Sequence, residues 1–364
     1  MNWKKFVNKN RLIDFPVLQM LSALLKNNIG NLVINSKPSE GVEGPTEKLL
    51  SIEGGPSDYN INILADNRNT LNNLTSAMTR SGLIEPYDLE SVTTKLASNK
   101  DLILGLDTNL LYNCIVSEHI LQSLDDKNPY SYSKIPKWIL FAVPGVVMKE
   151  IENAANHKSK GRLTHIGRIG FRALQEIHTL QENKGNSGYT VLVVGKTNPR
   201  QLRYAGEDSD RLQNADSLIR DQFRTFVQEI DLRKGVYFLT MDKTNSSLGE
   251  AEGLNAIRVK HPKMLKSGYQ LRQRKGNTIL LGRIIYELAV EFGIIEITWK
   301  EHGRYHYLEL DAGWQWKNMG HWENWQLLCS DFDHNFYREI DSYEDIAIEK
   351  IREEWNDFRK AFVN

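Results

Sequence analysis

The sequence predicts an α/β protein built on a central parallel sheet flanked by helices. Between about Asn99 and His261, short apolar runs alternate with amphipathic stretches of helical period, the pattern of strands joined by crossover helices. The runs are continuously apolar rather than alternating, as expected of strands covered on both faces. Composition agrees: 40% hydrophobic and 25% charged residues are ordinary for a folded chain, and 364 residues predict more than one domain.

The elements follow in order. Phe15 to Leu25 has helical spacing and Asn31 to Ile34 reads as a short strand. Ser36 to Asn60 is rich in Gly, Pro, Ser and Glu without a sustained period and reads as a loop. NINILA is then a strand and NTLNNLTSAMTRSGLI a helix. In the alternating region LILGLD (Leu102 to Asp107) is a buried strand, followed by a helix over about Asn109 to Leu124. WILFAVP is the second strand, Gly145 to about His157 the second helix and Ile166 to Leu180 the third. YTVLVV is a further strand, Ser209 to Ile230 a long helix, and VYFLTMD the last strand. The division is therefore 1–97, an N-terminal α/β extension; 98–262, the alternating domain; and 263–364, a C-terminal α+β part.

Charge and patterning exclude several classes. Forty-six basic and 46 acidic residues cancel, which excludes a uniformly basic nucleic-acid coat or an acidic tail protein. The longest apolar stretch, Trp138 to Met148, contains Pro144 and is too short to span a bilayer. MNWKKFVNKN lacks the apolar core of a signal peptide, so a cytoplasmic protein without a membrane partner is expected. Two cysteines, Cys114 and Cys329, make neither a disulfide framework nor a thiolate zinc site.

Four acids hold the chemical information. Asp107 and Asp242 each end a strand, and in open parallel sheets ligands bind beyond the carboxyl ends of the strands. In GVVMKEIENAA, Val146, Val147, Ile151 and Ala154 define an apolar face; Glu150 falls inside it and Glu152 outside. In the long helix, Leu212, Ile219, Phe223, Phe226, Val227 and Ile230 define the face, with Asp216 near it and Asp210 nearly opposite. A carboxylate on a buried stripe needs compensation. Four converging carboxylates repel one another unless a cation intervenes, and hard oxygen ligands suit Mg²⁺ or Mn²⁺. Such a site is suited to hydrolysing phosphodiesters.

These residues resemble the PIN-domain nucleases. The matching pieces are LILGLDTN (Asp107, Thr108, Asn109), VPGVVMKEIENAA (Glu150), NADSLIRDQF (Asp216) and LTMDK (Thr240, Asp242), in that family's order and spacing. The resemblance implies a Mg²⁺- or Mn²⁺-dependent endonuclease, usually acting on RNA and leaving 5′-phosphate and 3′-hydroxyl ends. It implies Asp107, Glu150, Asp216 and Asp242 as catalytic metal ligands, with Asn109 and Thr240 as supporting polar groups at the substrate. Thr244 stands where many members have another acid, leaving one or two metals open, and Asp208 and Asp210 compete with Asp216 for the third acid. The expected partner is RNA. A structure-specific DNA nuclease and a non-catalytic RNA-binding scaffold are the alternatives.

Other features have two readings each. Lys158, Lys160, Arg162, Arg168 and Arg172 form a basic cluster, with Arg162 and Arg168 expected to meet a substrate backbone. Arg258 to Lys275 is either a phosphate-contacting surface or a solvated linker. Trp314, Trp316, Trp322 and Trp325 fit core or homodimer contacts better than base stacking. His302 and His306 lie on a strand-like pattern and do not make a zinc site. Cys114 is read as a small core residue.

Overall fold

The computed structural model describes residues 10–13, 32–37, 46–55, 58–99, 101–124, 138–182, 189–195, 210–230, 235–273, 278–301, 304–313 and 327–331. In chain order these form β1 (Asn10–Ile13), β2 (Leu32–Lys37), β3 (Glu47–Gly55), β4 (Asp58–Ile63), α1 (Arg68–Arg80), α2 (Leu89–Ala97), β5 (Asp101–Leu106) and α3 (Thr108–Tyr112). A π-helical stretch (Val116–Leu121) and a last turn (Gln122–Leu124) lead to β6 (Trp138–Pro144), α4 (Gly145–Ala155), β7 (Lys158–Ser159), β8 (Arg162–Leu163) and α5 (His165–Glu182). Then come β9 (Tyr189–Val194), α6 (Asp210–Glu229), β10 (Val236–Thr240), α7 (Lys243–Ala251), β11 (Ala256–Arg258), β12 (Gln270–Gln273), α8 (Thr278–Phe292), β13 (Ile294–Glu301), β14 (Arg304–Asp311) and β15 (Leu327–Asp331). Among the described residues no helix is long and apolar enough to cross a membrane.

The described residues divide into two compact units: those up to Ile84, from His157 to Arg168 and from Lys263 onward in one, and those from Glu85 to Asn156 and from Ile169 to Pro262 in the other. The first unit carries an antiparallel eight-stranded sheet, ordered β1-β15-β14-β13-β2-β3-β4-β12. Its strands come from both ends of the chain, so the parts expected as separate N- and C-terminal extensions share one sheet. Helices α1 and α8 pack together, and Leu74, Met78, Leu281 and Ile285 on them are all buried. Between them Arg80, 2% exposed, donates from Nε to Glu287 at 2.8 Å and pairs also with Glu291. The segment His157–Arg168 leaves the sequence of the other unit and is fastened here. Arg162 pairs with Asp311 at 2.5 Å, and His165 Nε2 lies 2.8 Å from Glu291.

Two expectations are corrected here. The stretch Ser36 to Asn60, read as a loop, contains most of the β3–β4 hairpin. Leu49, Leu50, Ser51 and Ile52 are all buried in succession, and a strand covered on both faces shows no alternation to detect. The helix expected over Asn109 to Leu124 breaks at Cys114, whose φ of 52° takes the backbone out of the right-handed region before the π-helical stretch begins. Cys114 is buried, as a core residue should be. Phe15 to Leu25 and the four tryptophans Trp314, Trp316, Trp322 and Trp325 lie outside the described residues, as does His302; His306 sits on β14 opposite Trp299.

The second unit is the expected parallel sheet flanked by helices, in the order β11-β10-β5-β6-β9. Its central strands explain their sequence: every residue from Leu102 to Leu106 and from Ile139 to Pro144 is buried. Fully burying each Leu, Ile or Phe contributes on the order of 1.5–3 kcal/mol. Gly105 on β5 admits the ring of Phe223 from α6, so close that an added Cβ would lie 2.6 Å from ring carbons. Gly105→Ala is therefore expected to lower stability by about 1–3 kcal/mol through overpacking, and a urea unfolding midpoint unchanged from wild type would show that the ring yields freely.

Candidate active site

The site starts from strand register. Leu106 on β5 lies opposite Leu239 on β10, and the Asp107 amide donates to the Leu239 carbonyl at 3.2 Å. The next residues on the two strands, Asp107 and Thr240, are thereby brought side by side at the carboxyl edge of the sheet. Asp107 is 3% exposed and collects four hydrogen bonds. Its Oδ1 accepts from the Thr108 amide at 2.7 Å as it caps α3. Its Oδ2 accepts from Thr240 Oγ1 at 2.5 Å, Asn245 Nδ2 at 2.9 Å and Asn109 Nδ2 at 3.2 Å. Burial nevertheless pushes the Asp107 carboxyl above its ordinary range, against the Thr240, Asn245 and Thr108 bonds, and the charge of Asp242 adds to the push.

The other three acids surround it. Glu150, half-buried on α4, accepts from Thr108 Oγ1 at 2.5 Å, and burial, Asp107 and Asp216 together raise its pKa. Asp216, half-buried on α6, is pushed up to about 6 by burial and by the charges of Asp107 and Asp242, with Arg220 opposing. Asp242 is exposed and caps α7, its Oδ1 accepting from the Asn245 amide at 2.7 Å while its own amide donates to Thr240 Oγ1 at 3.0 Å. Asp107, Glu150 and Asp216 thus each feel at least one other acid of the four. Tyr112 on α3 joins the rim, its hydroxyl pushed up to about 12 by burial and by Glu150.

Two residues that the sequence reading passed over hold the cluster in place. Asn245 is fully buried, with its amide on Asp242, its Nδ2 on Asp107, and its Oδ1 accepting from Arg220 Nη1 at 2.5 Å. Arg220, 3% exposed, also forks onto Glu252 through Nε at 2.9 Å and Nη2 at 3.0 Å, which holds the Glu252 carboxyl below its ordinary range. The available signals were Asn245 at the third helical position after a capping Asp and Arg220 one turn beyond Asp216 on the same face.

The comparisons with known proteins bear on this geometry. The family model described as PIN domain matches residues 106–260, which contain all four acids. The middle of this chain is a PIN domain. PIN domains form a nuclease superfamily whose members generally depend on divalent metals. A solved structure titled a domain of a functionally unknown protein from Methanocaldococcus jannaschii is also similar, at 19% identity over 44% of this chain and 91% of that one, with a TM-score of 0.30. No curated protein matches.

Within the PIN domain the structure brings Asp107, Glu150, Asp216 and Asp242 together. Asn109 and Thr240 both bond Asp107. Asn109 Oδ1 also accepts from the Met241 amide at 3.0 Å, and Thr240 is fully buried against Asp107. Asp208 lies outside the described residues and Asp210 opens α6. Arg162 and Arg168 belong to the first unit, whereas the four acids belong to the second. Arg168 is 6% exposed and donates to the carbonyls of Val290 at 2.6 Å, Leu163 at 3.2 Å and Glu291 at 3.1 Å. Those bonds make it a structural residue, because its donors are already occupied by main chain. Lys158 and Lys160 are exposed on the β7–β8 hairpin of that same unit, and Arg172 is buried in the second, within reach of Glu176.

Whether the residues suit a metal follows from their chemistry. Every candidate donor is a hard oxygen, and the carboxylates oppose one another's ionisation, which a divalent cation would relieve. Among the described residues no three acids, histidines or cysteines are grouped tightly enough to hold an ion unaided. The fit is to an ion bound through one or two carboxylates with water filling its remaining positions. Asp242→Asn is expected to lower the Asp216 pKa from about 6, while leaving it above 3.8 because burial persists. Carboxyl carbon-13 NMR titration of the metal-free protein reads this directly, and an unmoved Asp216 would separate the two residues.

Proposed function

We propose that this PIN domain is a metal-dependent endoribonuclease that hydrolyses phosphodiesters of single-stranded or loop RNA. The observation that supports the reading most is the electrostatic cluster: four carboxylates from the ends of two parallel strands and the faces of two helices, each raising or sensing another's charge. Of Asp107, Glu150, Asp216 and Asp242, one or two would hold Mg²⁺ or Mn²⁺ directly and the others would reach it through water. Such an ion, when bound, supplies a water of lowered pKa and neutralises charge developing on the leaving oxygen.

The chain's own residues supply the preorganisation. Four donors fix the rotamer of Asp107, Thr108 fixes Glu150, and the α7 cap fixes Asp242, so the carboxylates are aligned before any ligand arrives. Unpaired or looped RNA is the substrate class favoured here, since its backbone is exposed and its bases are free of a duplex partner. RNA is accordingly the proposed partner.

The test is cleavage of an end-labelled RNA hairpin by purified protein in Mn²⁺, beside EDTA and Asp242→Asn. Asparagine still caps a helix, so that variant keeps the fold. Activity is expected to vanish in EDTA and to fall by about a hundredfold or more in the variant, the scale of losing one preorganised electrostatic group. Equal cleavage of a matched single-stranded DNA would move the assignment to a DNA or sugar-blind nuclease. RNA binding without cleavage, across several RNAs, would make the domain a scaffold.

A further inference from the structure

A strand of nucleic acid brings a negative charge every few ångströms toward a crevice that already carries four carboxylates. A metal at the carboxylates relieves the repulsion only for the phosphate it touches. The neighbouring phosphates need cations of the protein, and the basic side chains of the second unit differ in whether they are available. Arg220 offsets the charge of Asp216, but it is buried and engaged by Glu252 and Asn245. Lys260 leans on Asp88 at 3.7 Å and over the Tyr87 ring at 5.9 Å.

Arg258 is different. It ends β11, in register with Thr240 of β10, so it stands at the same carboxyl edge as the acid cluster. It is half-buried, and among the described residues its buried Nε has no hydrogen-bond partner. A buried guanidinium nitrogen without an acceptor is costly, and such groups call for a ligand, water or ion. His261 follows three residues later on the exposed loop. Its pKa is held down by burial and by the charge of Arg258, against the pull of Asp242. The loop is anchored: the Lys260 amide donates to Asp88 Oδ1 at 2.9 Å and the Tyr87 amide to the Lys260 carbonyl at 3.3 Å. The Val259 amide adds a bond to the Thr240 carbonyl at 2.8 Å.

We propose that Arg258, assisted by His261, grips a backbone phosphate of the bound strand next to the phosphodiester held at the carboxylates. The inference rests on the nuclease reading for the identity of the ligand, a single-stranded polyphosphate backbone, but its test does not require cleavage. The probe is a fluorescein-labelled decauridylate, titrated with the full chain carrying Asp216→Asn in Mg²⁺, with anisotropy followed across KCl concentrations. Arg258→Gln in that background is expected to weaken binding about tenfold, the scale of one charged hydrogen bond. The slope of log affinity against log salt should become shallower by about 0.7, the signature of one lost phosphate contact on a single strand. Arg258→Lys should restore the slope while recovering only part of the affinity, because charge returns but the fork does not. Lys95→Gln, beside Tyr237 near the amino end of β10, should change neither.

Wild-type affinity and slope in Arg258→Gln would overturn the proposal, as would failure of the parent to bind the decauridylate. Run beside the wild-type cleavage assay, the outcomes separate. Cleavage with an unchanged slope leaves the nuclease reading and removes the phosphate grip. A shallower slope without cleavage by the wild type keeps the grip and removes the nuclease.

Discussion

A carboxylate at the end of β5 that is 3% exposed must be met by donors, and those donors come from three directions. Thr108 and Asn109 reach it from the turn into α3, Thr240 from the neighbouring strand, and Asn245 from the first turn of α7. The parallel register of β5 and β10 is needed for Thr240, and the capping of α7 by Asp242 is needed for Asn245. Arg220 then decides which way round Asn245 lies. Because the guanidinium occupies the amide oxygen, the amide nitrogen is left facing Asp107. One buried acid therefore ties together a sheet register, two helix starts and a residue on α6.

Holding Asp107, Glu150 and Asp216 this way opposes folding, since each raised pKa marks a carboxylate whose charge is better solvated in water. The compensation lies deeper in the same helix. On α6, Asp216, Arg220 and Phe223 follow one another at spacings of four and three residues and so share a face. At its inner end, Phe223 fills the space left by Gly105 and packs 5.9 Å from Phe238, ring centre to ring centre. At its outer end, Asp216 meets the other acids. Arg220 between them converts charge into fixed hydrogen bonds. Packing and electrostatics are thus carried by successive turns of one element, which is why the helix can bear a destabilising acid without moving.

The parts of this arrangement that were legible in sequence are those with a local signature. LILGLD and YFLTMD announce buried strands that stop at an acid, and helical periodicity singles out Glu150 over Glu152. The hidden parts depend on partners distant in sequence. Asn245 is an ordinary turn residue until Asp107, 138 positions away, is placed beside it. The β3 strand buries four consecutive residues and so loses the period that would reveal it. No periodicity reports that β1 pairs with β15 or that β2 pairs with β13, and so the single sheet built from the two flanking parts was read as two extensions. The helix after Asp107 breaks at the positive φ of Cys114, with no Gly or Pro nearby to announce it.

Basic residues show the same limit most sharply, and they bear on how a nucleic-acid surface should be inferred. Lys158, Lys160, Arg162 and Arg168 cluster in sequence just after the helix that carries Glu150, where proximity to the site is easily assumed. Their segment is instead given over to the first unit, where Arg162 meets Asp311 and Arg168 satisfies three carbonyls of the β8 strand and of α8. Burial lowers the Arg168 pKa to about 10 even with Glu291 and Asp311 favouring its charge, so this cation is held for structure at a real electrostatic cost. A positive charge says little about nucleic acid until its hydrogen-bond donors have been traced. Traced in the second unit, they are closed at Arg220 and open at Arg258, which sequence density alone would have ranked the other way round from the cluster at residues 158–172.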